Sequence, residues 1–285
     1  MEIGISSFAF GWAVGTPLQR SPRPFGTGHL LDFAIAQRVP VIQFGDNLPL
    51  HVLKDDELDG LAIRARTAGV AIETGARGLT PAHLARYIDI SRRLGSRLLR
   101  FVIDAKDYEP DLACVARILR DAAPALKAAG ITLGIENHDR FPCSTLRRLV
   151  DELALEHVGV CLDTANSLGA GEGIGEALAQ LAPVCVNLHV KHFSIVRLPY
   201  LMGFTVSGRP LGQGMLPLAR VLSTVATHRP TATAVIETWP PPETDPHATL
   251  VKEERWAIES IHVLRAALQE SKTLPFPGTH PNAQP

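Results

Sequence analysis

Glu136, Asp163, His189 and Glu237 are the residues of this chain best suited to do chemistry together. Each stands at or near the carboxyl end of a short apolar run: Gly134-Ile135-Glu136-Asn137-His138, Cys161-Leu162-Asp163-Thr164-Ala165-Asn166, Leu188-His189-Val190-Lys191 and Val235-Ile236-Glu237. One acid in such a place is most often a cap or an ion-pair partner. Three carboxylates and an imidazole on one rim would repel and desolvate one another. A divalent cation resolves that conflict. The oxygen-rich set favours one Mg²⁺ or Mn²⁺, with Co²⁺ also compatible, over structural Zn²⁺, which prefers Cys and His.

The elements that must position these residues follow from hydropathy. Eight short runs rich in Val, Ile and Leu lie at Ile3–Ser7, Pro40–Phe44, Val70–Thr74, Leu98–Ile103, Ile131–Glu136, Val158–Leu162, Val184–Val190 and Thr233–Glu237. Amphipathic stretches separate them, among them Asp55–Ala68, Pro81–Leu94, Asp111–Ala129 and Thr145–Leu155, and Thr249–Gln269 closes the series. Strands alternating with helices imply a parallel sheet, and continuous apolar strands imply burial on both faces. Eight units in this length predict an α/β fold, a single (β/α)8 TIM barrel over residues 1–272. No Gly-rich dinucleotide turn follows the first run, which argues against a doubly wound sheet. In a barrel the strand carboxyl ends share one rim, which brings the four residues together.

Punctuation agrees. Thr80-Pro81 reads as a helix N-terminus, and Gly69, Gly95 and Gly130 as C-terminal caps. Pro124 predicts a kink or break in the fourth helix. Residues 273–285, with four prolines beyond Leu274, read as a poorly ordered tail. Phe8–Gly28 and Lys191–Gly214 are longer than a barrel requires and read as lids or binding loops.

Composition removes other classes. Lys+Arg number 28 against 29 Asp+Glu, so no basic excess points to nucleic acid. No transmembrane run or signal-peptide n-region is visible, so no membrane association is expected. Cys161 and Cys185 lie in apolar runs and read as buried free thiols, which suits a cytoplasmic protein. Homo-oligomerisation is left open, through helix faces such as that around Trp256.

The ordered segments quoted above, with Gly212-Gln213-Gly214, resemble the xylose-isomerase-like TIM-barrel superfamily, which includes sugar isomerases and epimerases and endonuclease IV. By that resemblance Glu136, Asp163, His189 and Glu237 match the metal ligands, and Glu136 and Glu237 the catalytic acid/base pair of the epimerases. The resemblance implies a divalent-metal-dependent enzyme acting on a small keto-sugar or keto-sugar acid through a metal-bound enediolate. Isomerisation or epimerisation leads, because two glutamates on opposite faces can remove and return a proton. The alternative is a lyase: a decarboxylase of a 3-oxo sugar acid such as 3-oxo-isoapionate, or a dehydratase. A DNA-repair endonuclease is a distant third. The lyase reading rests on rim cations, Arg77, Lys106, Arg140, Lys191, Arg197 and Arg209, of which Lys191 and Arg197 are the first candidates to bind a substrate anion. His138 and Asn166 are assigned to substrate binding.

Overall fold

The computed structural model describes residues 1–17, 19–200 and 202–273. All eight apolar runs are strands. In chain order these are β1 (Glu2–Ser6), β2 (Val41–Phe44), β3 (Ala71–Arg77), β4 (Leu98–Val102), β5 (Thr132–Glu136), β6 (Val158–Asp163) and β7 (Cys185–Val190). The hairpin strands β8 (His192–Arg197) and β9 (Phe204–Arg209) follow, and then β10 (Thr233–Ile236). The eight barrel strands close in the order β1-β10-β7-β6-β5-β4-β3-β2, and every pair is parallel. The fold is therefore a single (β/α)8 TIM barrel.

The helices are α1 (Gly11–Val14), α2 (Thr27–Gln37), α3 (Asp55–Ala68), α4 (Pro81–Leu94), α5 (Leu112–Ala129), α6 (Cys143–Leu153), α7 (Ile174–Leu181), α8 (Leu218–His228) and α9 (Pro246–Thr273). Helix α4 shows why they form where they do. Thr80 accepts a hydrogen bond from His83 N, Pro81 opens the first turn, and Gly95 ends the helix at φ 71°. Its buried Leu84, Tyr87, Ile88, Ser91 and Leu94 recur at helical spacing and face the barrel. Outward strand residues such as Ile42, Phe44, Leu99, Phe101, Leu133 and Leu188 meet those helix faces and are wholly buried.

Two expectations change. Helix α5 runs through Pro124 without a break. Its apolar face is anchored on both sides of the proline, by Val115, Ile118 and Leu119 before it and Leu126 after it. That burial offsets the lost hydrogen bond, whose cost is about 3 kcal/mol. The segment Lys191–Gly214 is not irregular. It carries the antiparallel hairpin β8–β9, with His192 opposite Arg209 and Arg197 opposite Phe204. Helix α9 reaches Thr273, and the rest of the expected tail lies outside the described residues. No described helix is long and apolar enough to cross a membrane.

The barrel interior departs from the usual filling of branched aliphatics. Gln43, Glu73, Arg100, Glu136, Asp163, Asn187, His189 and Glu237 are all buried within it or at its rim.

Candidate active site

Strand register sets the site. Asp163 on β6 pairs with His189 on β7, and His189 pairs with Val235 on β10. Side chains alternate along a strand, so Glu237, two residues beyond Val235, projects to the same side. Glu136 ends β5 opposite Cys161, two residues before Asp163. His189 Nδ1 consequently lies 3.3 Å from Glu237 Oε1 and 3.7 Å from both Glu136 Oε2 and Asp163 Oδ2. Ligand atoms of Asp163, His189 and Glu237 fall within 4.8 Å of one another, as do those of Glu136, Cys161 and His189.

Local hydrogen bonds decide which atoms face inward. Asp163 Oδ1 accepts from Ala165 N and Asn166 N, at 2.8 and 2.9 Å, which leaves Oδ2 for the cluster. Asn137 clamps the strand ends. Its Oδ1 accepts from Asp163 N, and its Nδ2 donates to Asp163 O and Ser167 Oγ. Asp163 Oδ2, His189 Nδ1 and both oxygens of Glu237 are buried without a hydrogen-bond partner. Lys191 Nζ approaches Asp163 Oδ2 to 2.7 Å and Glu237 Oε2 to 2.9 Å as an ion pair, without hydrogen-bond alignment.

Orphaned carboxylate oxygens beside an imidazole nitrogen are a donor set that fits a hard divalent cation. The electrostatics fit as well. Burial opposes ionisation of Asp163, but Lys191 and His189 outweigh it and hold the carboxyl well below the usual range. Burial likewise works against Glu237, and His189, Lys191 and Arg100 prevail, lowering it. Lys191 is pushed up despite burial, by Asp163, Glu237 and Glu136.

Arg100 is the residue that sequence reasoning missed. It stands in the middle of the apolar strand β4, buried, with Nε on Glu136 Oε2 and Nη1 2.7 Å from Asp46 Oδ1. The signal was present: a charge inside Leu98-Leu99-Arg100-Phe101-Val102 must find buried counter-charges. Gly75, its register partner on β3, makes room. A Cβ there would lie 3.3 Å from Arg100 Cδ and 2.7 Å from Phe44 O. Asp46 also takes Arg77 Nε at 3.0 Å. Burial acts against its ionisation, but Arg100 and Arg77 keep its pKa low.

Asn166 joins the cluster: Nδ2 donates to Glu136 Oε1 at 2.7 Å, and Oδ1 accepts from Lys191 Nζ at 3.2 Å. Both Glu136 oxygens are thus engaged. His138 sits at the rim, its Nε2 3.3 Å from Arg77 Nη2 and its Nδ1 on Asp139. Arg197 is not brought to this cluster. It is exposed at the far end of β8, its guanidinium 4.4 Å over the Phe204 ring. It lies six positions along extended chain from Lys191, about 20 Å. Arg140 is engaged by Asp104 and Pro110 O. His192 pins the hairpin base: Nε2 donates to Leu216 O at 2.9 Å, and Nδ1 accepts from Gly214 N at 3.2 Å. A cavity of about 680 Å³ opens at this end of the barrel, between Phe8, Trp12, Val206 and Trp239. Lys191 Nζ lies 5.9 Å from the Trp239 ring.

Residues 71–267 match the sequence profile of the xylose isomerase-like TIM barrel family. Over 264 residues the chain is 30% identical to 3-oxo-isoapionate decarboxylase of Pectobacterium atrosepticum, covering 93% of this chain and 95% of the relative. Among solved structures, D-psicose 3-epimerase in the presence of D-fructose superposes with a TM-score of 0.72 at 14% identity, covering 94% of this chain and 99% of that one. A xylose isomerase-like TIM barrel protein from Mycobacterium smegmatis in complex with magnesium gives 0.68 at 16%, covering 94% and 97%.

Proposed function

The chain belongs to the xylose isomerase-like TIM barrel family, and from that premise we propose that it decarboxylates a 3-oxo sugar acid with the help of one divalent metal ion. At the coarser level it is an enzyme of the sugar isomerase, epimerase and lyase kind.

The observation that carries the finer reading is the state of Glu136. Two-base epimerisation needs a carboxylate free to take a proton on each face. Here Arg100 and Asn166 occupy both Glu136 oxygens, so a proton could be accepted only by displacing the Asn166 amide from Oε1 or the Arg100 guanidinium from Oε2. Decarboxylation needs no such base. The bond to the carboxylate carbon breaks, its electron pair moves toward the adjacent keto oxygen, carbon dioxide leaves, and the remaining carbon takes a proton. The 30% identical decarboxylase, matched along nearly its whole length, supports the same choice.

Asp163, His189 and Glu237, with Glu136 beside them, would hold the metal, Mg²⁺ or Mn²⁺ by their donor character, and it would supply Lewis acidity toward the keto oxygen. Lys191 binds the substrate carboxylate. Its ammonium is held at the cluster by two carboxylates and one amide oxygen. Asn166 holds Glu136 and Lys191 in register. Trp12 and Trp239 wall the cavity, and His138 with Arg77 offers a second polar contact at the rim.

The test is carbon-13 and proton NMR in D₂O with Mg²⁺, a panel of 3-oxo sugar acids and of neutral keto-sugars, and an EDTA control. Release of the carboxylate carbon as bicarbonate, stopped by EDTA, is the expected result. Deuterium uptake into keto-sugars without carbon loss would assign isomerisation instead, with Glu237 as its base.

A further inference from the structure

Below the cluster, a ring of uncharged amides joins a second buried acid to His189. Glu73 on β3 is 8% exposed and lies opposite Gln43 on β2 in the register. Its Oε2 accepts from Gln43 Nε2 at 2.9 Å and from Asn187 Nδ2 at 3.1 Å, and its Oε1 accepts from Thr233 Oγ1 at 2.7 Å. Gln43 Nε2 also donates to Asn187 Oδ1 at 3.0 Å, an oxygen that takes Cys161 Sγ–H as well. Gln43 Oε1 is left facing His189 Nε2 at 2.6 Å.

We infer that Glu73 is a positioning residue which, through Gln43, dictates that His189 keeps its proton on Nε2 and presents Nδ1 to the metal. The inference rests on the metal reading above. Its logic is donor and acceptor accounting. Turning the Gln43 amide over would set its oxygen against Glu73 Oε2 and Asn187 Oδ1, two oxygen–oxygen contacts near 3 Å in a buried site. The amide is therefore held with its nitrogen toward Glu73. Its oxygen can only accept, so the facing His189 nitrogen must carry a hydrogen. Nδ1, facing Asp163 and Glu237, is the nitrogen that can offer a lone pair. Protonating Glu73 does not undo this, because a proton on Oε1 can turn to the Thr233 hydroxyl and leave Oε2 an acceptor. Orientation of a metal-binding imidazole through its other nitrogen is a recognised device. Here it is relayed through an amide to an acid on the far side of the barrel.

The test uses full-length protein. Nitrogen-15 NMR of His189 in the Mg²⁺-loaded wild type is expected to show Nε2–H with Nδ1 unprotonated. Mn²⁺ binding, counted by EPR, is expected to weaken about 10- to 100-fold in Glu73→Ala and to stay within about threefold in Glu73→Gln, whose carbonyl can still accept from both amides. Should Glu73→Ala not fold, Gln43→Leu is expected to show the same loss. Proton on Nδ1 in the loaded wild type, or Mn²⁺ bound equally well by folded Glu73→Ala or Gln43→Leu, overturns the relay. A wild type that binds no Mn²⁺ overturns the metal reading instead.

Discussion

At the residue scale the site is a balance of buried charge. Glu136, Asp163 and Glu237 face Arg100 and Lys191, and removing a partner leaves a desolvated charge behind. Arg100→Met leaves buried Glu136 with only the Asn166 amide and Asp46 with only Arg77. We expect it to lower unfolding free energy by about 3–5 kcal/mol in urea titrations, and Arg100→Met with Glu136→Gln to recover part of that loss. An additive double variant would show that the pair is not coupled. Lys191 makes a different contribution. Lys191→Met is expected to raise KM for carboxylated substrates about 10- to 100-fold, the size of a charge-assisted hydrogen bond, with little change in the affinity for neutral keto-sugars measured as competing ligands. Equal effects on both classes would remove Lys191 from the anion contact.

At the element scale, α9 holds the loop after β1 in place. Both oxygens of buried Glu253 accept backbone hydrogen bonds, from Trp12 N at 2.8 Å and Ala13 N at 2.9 Å. Burial nevertheless pushes this carboxyl up to about 7. A group whose pKa is higher in the folded than in the unfolded chain stabilises the fold at low pH. That contribution is lost as pH rises from near 4.5 through about 7. The loss amounts to about 3 kcal/mol, and Glu253→Gln should flatten that part of the stability profile. A profile unchanged by Glu253→Gln would mean that the group titrates normally. Trp12 and Glu253 also line the cavity, so α9 contributes to its wall from the outside of the barrel.

At the scale of the whole molecule, a cation bound to the folded chain alone must raise its stability by mass action. At 100 times its Kd the gain is about 2.7 kcal/mol. Mg²⁺ or Mn²⁺ should therefore raise Tm by several degrees, EDTA should reverse the shift, and Asp163→Asn should abolish it. A Tm indifferent to metal in the wild type would count against the metal site.

The alternation of apolar runs with helix-period stretches determined the barrel by itself. Eight parallel strands admit few closures, and Thr80-Pro81, Gly69, Gly95 and Gly130 mark helix ends through backbone preferences that act locally. The meeting of Glu136, Asp163, His189 and Glu237 was legible for the same reason, because strand ends in a barrel share one rim. The hairpin in Lys191–Gly214 and the unbroken α5 were not: the hairpin pairs two halves of a Gly- and Pro-bearing segment with each other, and α5 holds through Pro124 by burial on both sides of it. Only the tertiary structure decided how the four site residues are partnered. Arg100 and Asn166 reach Glu136 from β4 and the turn after β6, and Gln43 reaches His189 across 146 positions of sequence. Hydrogen bonds of that kind are set by register and by side-chain reach across a closed barrel, and no local pattern in the chain encodes them.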